Sequence, residues 1–191
     1  MVDPHLEVLI RVLWVLTPVY IANAFATLPK GWGPSMDFGR NWTDGRRVLG
    51  SSKTWSGLLF GTIAAAPFAL LEAWLILLAP PNLQLVPHYG PSVLAAVPVA
   101  FLLTGGALIG DAVGSFLKRR LGYGSGARVL GLDQLPFVFV PIGLGLALYP
   151  AIFVPTFFSV EALLWVLLLT VVLHFLFNWI GFRIGTKKVP W

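Results

Sequence analysis

The sequence predicts an all-α, polytopic integral membrane protein with about five transmembrane helices, on three observations. Hydrophobic residues make up 57% of the 191 and the mean hydropathy is +0.83, more apolar surface than a soluble domain of this size can bury. Only 11% of residues are charged, against about 25% in soluble domains. Five stretches, 6–28, 54–79, 92–120, 133–158 and 160–183, approach or exceed the ~20 mainly apolar residues that cross a bilayer. They form a single transmembrane domain, 1–191, with loops at about 29–53 and 121–132.

The first stretch follows a segment with Asp3 and Glu7 and no Lys or Arg. A secretory signal needs a basic leading region, so this stretch reads as a retained helix. Arg11 is expected to snorkel toward nearby headgroups, and Asn23 lies near the far end. The loop that follows holds Lys30, Arg40, Arg46, Arg47 and Lys53. It runs through Asp37, Asp44 and Gly45-Arg46-Arg47 to Gly50-Ser51-Ser52-Lys53-Thr54. A Walker A loop places Lys directly after its second Gly and follows a strand; here two serines intervene and an apolar helix follows. Small residues, a lysine and a hydroxyl at a helix N-terminus still make an anion site. The plainer reading is a turn and a helix cap.

The third stretch carries Pro98 and Gly105-Gly106, where kinking is expected. Its far half holds Gly110-Asp111, Gly114-Ser115 and Lys118-Arg119-Arg120. Positions 111, 115 and 118 share one helix face, with Lys118 about 10 Å along the axis from Asp111. Ionisable groups inside spans are costly and are functional candidates by default. After a Gly-rich turn, Asp133 opens the fourth stretch, followed by Gln134 and Pro136. Two carboxylates, Asp111 and Asp133, with cations between them suit Mg²⁺ bound to substrate phosphates. Asp133 as a helix N-cap and Lys118-Arg119-Arg120 as a topology signal remain the alternatives. The fifth stretch carries His174 and Asn178, one turn apart; a histidine there reads as a hydrogen-bonded core residue. Glu72 receives no role.

Charge sets the orientation. Segments 1–5, 80–91 and 156–160 contain no Lys or Arg, whereas Arg128, Arg183, Lys187 and Lys188 join the basic loops on the other side. The positive-inside rule then puts the N-terminus outside and the C-terminus and both long loops in the cytoplasm. This explains the net charge of +5 without a nucleic-acid partner. No cysteine is present, which excludes thiol catalysis, disulfides and Cys-ligated metals. His5, His88 and His174 are too dispersed for a metal motif.

These residues resemble the CDP-archaeol synthases, archaeal CTP-dependent cytidylyltransferases related to CDP-diacylglycerol synthases. The resemblance spans nearly the whole chain. It rests on Ala22-Asn23-Ala24, Met36-Asp37-Phe38-Gly39, Leu49-Gly50, Lys53-Thr54-Trp55, Gly110-Asp111, Gly114-Ser115-Phe116, Lys118-Arg119-Arg120, Leu132-Asp133-Gln134, Asn178 and the terminal 187–191. Ser56 departs from it, standing where many members carry Arg. The resemblance implies transfer of CMP from CTP to unsaturated archaetidic acid, 2,3-di-O-geranylgeranyl-glycerol 1-phosphate, in the cell membrane. It implies Mg²⁺ on Asp111 and Asp133, with Lys118 and Arg119 in catalysis. Lys53, Thr54, Asn23, Asp37, Arg46, Ser115, Arg120, Gln134 and Asn178 would bind CTP or its phosphates, and the active site would face the cytoplasm. The competing reading is a small transporter or channel for an anionic or lipid-phosphate solute. Against it stand the missing internal repeat and the bias of polar groups to one side.

Overall fold

The computed structural model describes residues 3–29, 32–80, 84–183 and 185. Lys30, Lys187, Lys188 and the rest of the predicted basic tail after Gly185 lie outside them. Six helices follow one another: α1 Pro4–Phe25, α2 Trp55–Leu78, α3 Val93–Arg120, α4 Pro136–Leu148, α5 Pro150–Phe157 and α6 Val160–Arg183. Among the described residues there is no strand, only two isolated bridges, Ser35 with Thr54 and Asn41 with Arg47. α1, α2, α3 and α6 are long and apolar enough to cross a membrane.

The predicted fourth span is corrected by the structure. It is two helices, α4 and α5, broken at Tyr149, whose φ of −134° and ψ of 55° lie outside the helical region. Pro150 supplies the reason, since a proline disfavours the helical conformation in the residue before it. The start is corrected as well. Asp133 does not open or cap α4, which begins at Pro136 with no side-chain cap. A proline suits the first helical turn, where its missing N–H is not needed. The third span, by contrast, runs as one helix through Pro98.

α3 is the central helix and packs against α1, α2 and α4, whereas α6 packs mainly on α1. Small residues allow the close approach. Gly106, Gly110 and Gly114 recur every four residues and so share one face of α3. A Cβ on Gly110 would stand 2.2 Å from the Pro136 carbonyl oxygen, and one on Gly114 2.5 Å from that of Leu132. α2 approaches α1 the same way, Gly61 lying against the Ala22 carbonyl. Between the helices lies a core that includes Val12, Val15, Leu16, Val19, Val99, Leu103, Phe137 and Phe153.

Polar groups at one end of the bundle are tied together. Arg11 donates from Nε to the Leu85 carbonyl (3.0 Å) and pairs with Glu7. It is therefore satisfied by protein where headgroups were expected. Tyr89 donates its hydroxyl to Glu72 at 3.0 Å, and His5 Nδ1 meets Glu161 at 2.9 Å. The long loops and most polar side chains gather at the other end.

Candidate active site

The loop between α1 and α2 is built around Asp37. Its buried carboxylate accepts from Arg47 Nε and Nη2, both at 3.0 Å, and from the backbone N–H groups of Gly39 (3.0 Å), Leu49 (3.0 Å) and Gly50 (2.9 Å). Burial alone would raise the pKa of this carboxyl, but the donors outweigh it and hold Asp37 far below the usual carboxylate range. The loop is strapped to the end of α3 by Arg120. Its guanidinium donates to Asp44 (2.5 Å) and to the carbonyls of Arg46 (3.2 Å) and Arg47 (2.7 Å), over the rings of Trp42 and Phe116. Arg46 returns a bond to the Arg120 carbonyl at 2.8 Å.

This frame delivers Lys53 and Thr54 to the start of α2. Thr54 caps the helix by accepting from Gly57 N–H at 3.1 Å, so the predicted cap forms. Both residues also line a cavity of about 780 Å³ at the loop-rich end of the bundle. Its walls come from the ends of α1, α3 and α6, the starts of α2 and α4, and both long loops. Asp111, Ser115 and Lys118 all line it, as their shared helix face requires.

Among the predicted residues, the cavity brings together Asn23, Lys53, Thr54, Asp111, Ser115, Lys118, Arg119, Asp133 and Asn178. Asp37, Arg46, Arg120 and Gln134 are not in its lining. The first three hold the loop, as described, and buried Gln134 accepts from Gly131 N–H at 2.6 Å. Sequence reasoning left His174 and Arg128 out of the site, and both line the cavity, as do Ser51 and Ser52 of the predicted anion-binding segment. His174 stands beside Phe137, ring centroids 6.3 Å apart, and Arg128 lies over Phe175 at 5.0 Å. The one-turn spacing of His174 from Asn178 was the available signal for the histidine.

Both predicted metal carboxylates are paired with lysines. Lys53 Nζ pairs with Asp111, and Lys118 Nζ with Asp133. Asp133 is further fixed by accepting from Val129 N–H at 2.8 Å. Arg119 is buried, and its Nε has no hydrogen-bond partner among the described residues. The lining thus holds four cations, Lys53, Lys118, Arg119 and Arg128, against two carboxylates. A cavity with excess positive charge and low-dielectric walls draws in polyanions. Among the described residues no three His, Asp or Glu side chains cluster as a closed metal cage. Two carboxylates alone fit a hard cation that arrives with phosphate oxygens of its own.

A second, apolar groove of about 440 Å³ runs between α4, α5 and α6 and includes Phe139, Ile142, Leu146, Phe157, Leu163 and Val166. Phe137, on the same helix as Phe139, lines the polar cavity, as does His174, on the same helix as Val166.

Comparison with known proteins places this arrangement. Residues 5–191 match the CarS-like family model, described as CDP-archaeol synthase. A CDP-archaeol synthase of Pyrococcus horikoshii is 36% identical over 183 residues, 96% of this chain and 97% of that protein. One from Archaeoglobus fulgidus is 35% identical over 97% of this chain and 99% of its own length. One from Methanospirillum hungatei is 40% identical over 92% of this chain and all of its own. A solved structure, of an intramembrane enzyme for archaeal membrane lipid biosynthesis, superposes with a TM-score of 0.59 at 32% identity. That match covers 85% of this chain and 91% of the other. The chain therefore belongs to the CDP-archaeol synthase family and is a multi-pass membrane enzyme of archaeal lipid biosynthesis.

Proposed function

We propose that this enzyme transfers CMP from CTP to unsaturated archaetidic acid, forming CDP-unsaturated archaeol and pyrophosphate, and that Asp111 and Asp133 are the residues that would hold Mg²⁺. One observation carries the reading: the cationic cavity containing both carboxylates lies on helices that also wall an apolar groove. A water-soluble polyanion and a lipid with a phosphate head must meet, and a cationic cavity and an apolar groove built on the same two helices, α4 and α6, offer a place for each. The groove's aromatic and aliphatic lining suits the prenyl chains. The cavity volume lies within the range of small-molecule and cofactor sites.

The reaction forms a bond from a lipid-phosphate oxygen to the α-phosphorus of CTP. It breaks the bond from that phosphorus to the oxygen bridging to the β-phosphate. A phosphate monoester is largely dianionic near neutral pH, so its oxygen attacks without a dedicated general base. The work left to the protein is alignment and charge stabilisation, as in other phosphoryl transfers. Lys53, Ser51, Ser52 and the N-terminus of α2 hold the triphosphate. Lys118 and Arg119, both in the cavity lining, orient the lipid phosphate. Departing pyrophosphate leaves with its charge held by the basic lining. When bound, Mg²⁺ supplies charge neutralisation at the phosphates and Lewis-acid polarisation of the reacting centre.

The test is turnover by purified protein in detergent, with labelled CTP and a panel of ether- and ester-linked phosphatidic acids. CDP-lipid and pyrophosphate should form in equal amounts with no membrane gradient, fastest with the unsaturated ether lipid. Absence of turnover, with gradient-driven solute uptake into proteoliposomes, would instead establish the transporter. Asp111→Asn and Asp133→Asn keep size and remove charge. Each should lower kcat by roughly 100-fold or more with the melting profile retained.

A further inference from the structure

We propose that the Lys53–Asp111 ion pair is a charge-exchange latch, which resists a divalent cation alone and nucleotide alone and yields to the two together. The inference rests on the reading above, with Asp111 as cation ligand and Lys53 as phosphate contact.

The two partners come from different elements, Lys53 from the loop before α2 and Asp111 from α3, and they meet inside the cavity. Their side chains are 22% and 27% exposed, so the charges are partly shielded from water and feel each other strongly. In this pair the ammonium occupies the carboxylate that would bind a cation. Lys53 contacts one oxygen of Asp111, so a divalent cation arriving alone must displace the ammonium or sit beside it, with no added anion to balance the new charge. A triphosphate arriving alone must draw Lys53 away and leave Asp111 unpaired against a polyanion. When both arrive, the carboxylate takes the cation, the ammonium takes a phosphate oxygen, and no charge is stranded.

The other pair in the cavity is built differently. Asp133 also accepts from Val129 N–H, and Lys118 also donates to the Ala127 carbonyl at 3.4 Å. Opening it would pull on the turn before α4. Lys53 Nζ and the Asp111 carboxylate have no further hydrogen bond among the described residues. The Lys53–Asp111 pair is thus the one that can part without unpicking a loop.

The latch predicts positive coupling between cation and nucleotide beyond their association in solution, and coupling between sites is reciprocal. The full chain in detergent is titrated with Mn²⁺ alone by electron paramagnetic resonance, and with CTP in EDTA by calorimetry. Lys53→Met should bind Mn²⁺ about tenfold more tightly than wild type, a gain in the usual range of such couplings. Asp111→Asn should bind metal-free CTP more tightly than wild type and lose the gain that Mg²⁺ brings. Lys118→Met should raise Mn²⁺ affinity less than Lys53→Met does. Lys53→Gln serves if the Met variant melts early. Unchanged Mn²⁺ affinity in the Lys53 variants, with the Mg²⁺ gain lost in Asp111→Asn, overturns the latch and leaves the cation reading intact. An equal gain from Lys118→Met also overturns it. A full Mg²⁺ gain retained in Asp111→Asn removes the cation reading, and the latch with it.

Discussion

Asp37 closes the first loop, and its chemistry sets the pH range in which that loop holds. The side chain is fully enclosed and every strong donor around it favours the charged form. Its folded-state pKa is depressed below the ordinary value of about 3.9. The stabilisation is therefore complete above about pH 4 to 5 and is lost as pH falls through the depressed folded value. Amide exchange at Leu49 and Gly50, corrected for its intrinsic pH dependence, should be flat from pH 7 to about 5 and accelerate below about 4. Asp37→Asn should abolish that pH step. At neutral pH it should cut local protection by about 1.5–3 kcal/mol, the worth of hydrogen bonds to a charged group. Because Asp37 holds the segment that carries Lys53, the same variant should raise KM for CTP more than it lowers kcat. Equal protection of Leu49 in wild type and variant would remove Asp37 from this positioning role.

At the scale of elements, the contact between α3 and α4 decides where Asp111 stands. The glycine stripe on α3 lets the Pro136 and Leu132 carbonyls approach the helix backbone. A methyl at Gly110 meets main chain, which cannot rotate away, whereas one at Gly143 meets nothing within 4 Å. Gly110→Ala should therefore destabilise by about 1–3 kcal/mol, the usual cost of overpacking. It should also depress activity, since Asp111 follows directly. Gly143→Ala should melt within about 0.5 kcal/mol of wild type. Thermal melts in one detergent compare the two, and similar melting of both variants would show that the stripe is not a tight seam.

Much of this element was readable in the chain. The i, i+4, i+7 spacing of Asp111, Ser115 and Lys118 put all three in one cavity wall. The break at Tyr149 was not visible to a hydropathy average, which treats Pro150 as one more weakly polar residue; the backbone restriction before proline marks it. The pairing of Lys53 with Asp111 spans 58 positions, and no local pattern encodes a contact of that range. The same limit applies to Asp37. The resemblance implied a nucleotide contact for it, and its five donors come from a fold of the loop on itself.

For the whole molecule, the asymmetry of charge and the position of the polar cavity coincide. The end that gathers the cavity also carries Lys53, Lys118, Arg119 and Arg128. At the opposite end Arg11 is satisfied by Glu7 and the Leu85 carbonyl. Basic residues are retained on the cytoplasmic side of a membrane, and CTP is a cytoplasmic solute, so the proposed reaction predicts a cavity that faces the cytoplasm. The chain has no cysteine, so a single introduced thiol reports its side without background. Leu130, 70% exposed in the loop between α3 and α4, and Pro91, exposed before α3, sit at opposite ends of the bundle. In intact cells a membrane-impermeant maleimide should label Pro91→Cys and spare Leu130→Cys until the membrane is opened. The reverse pattern would place the cavity outside, away from CTP, and the proposed reaction could not be supplied with its nucleotide in that orientation.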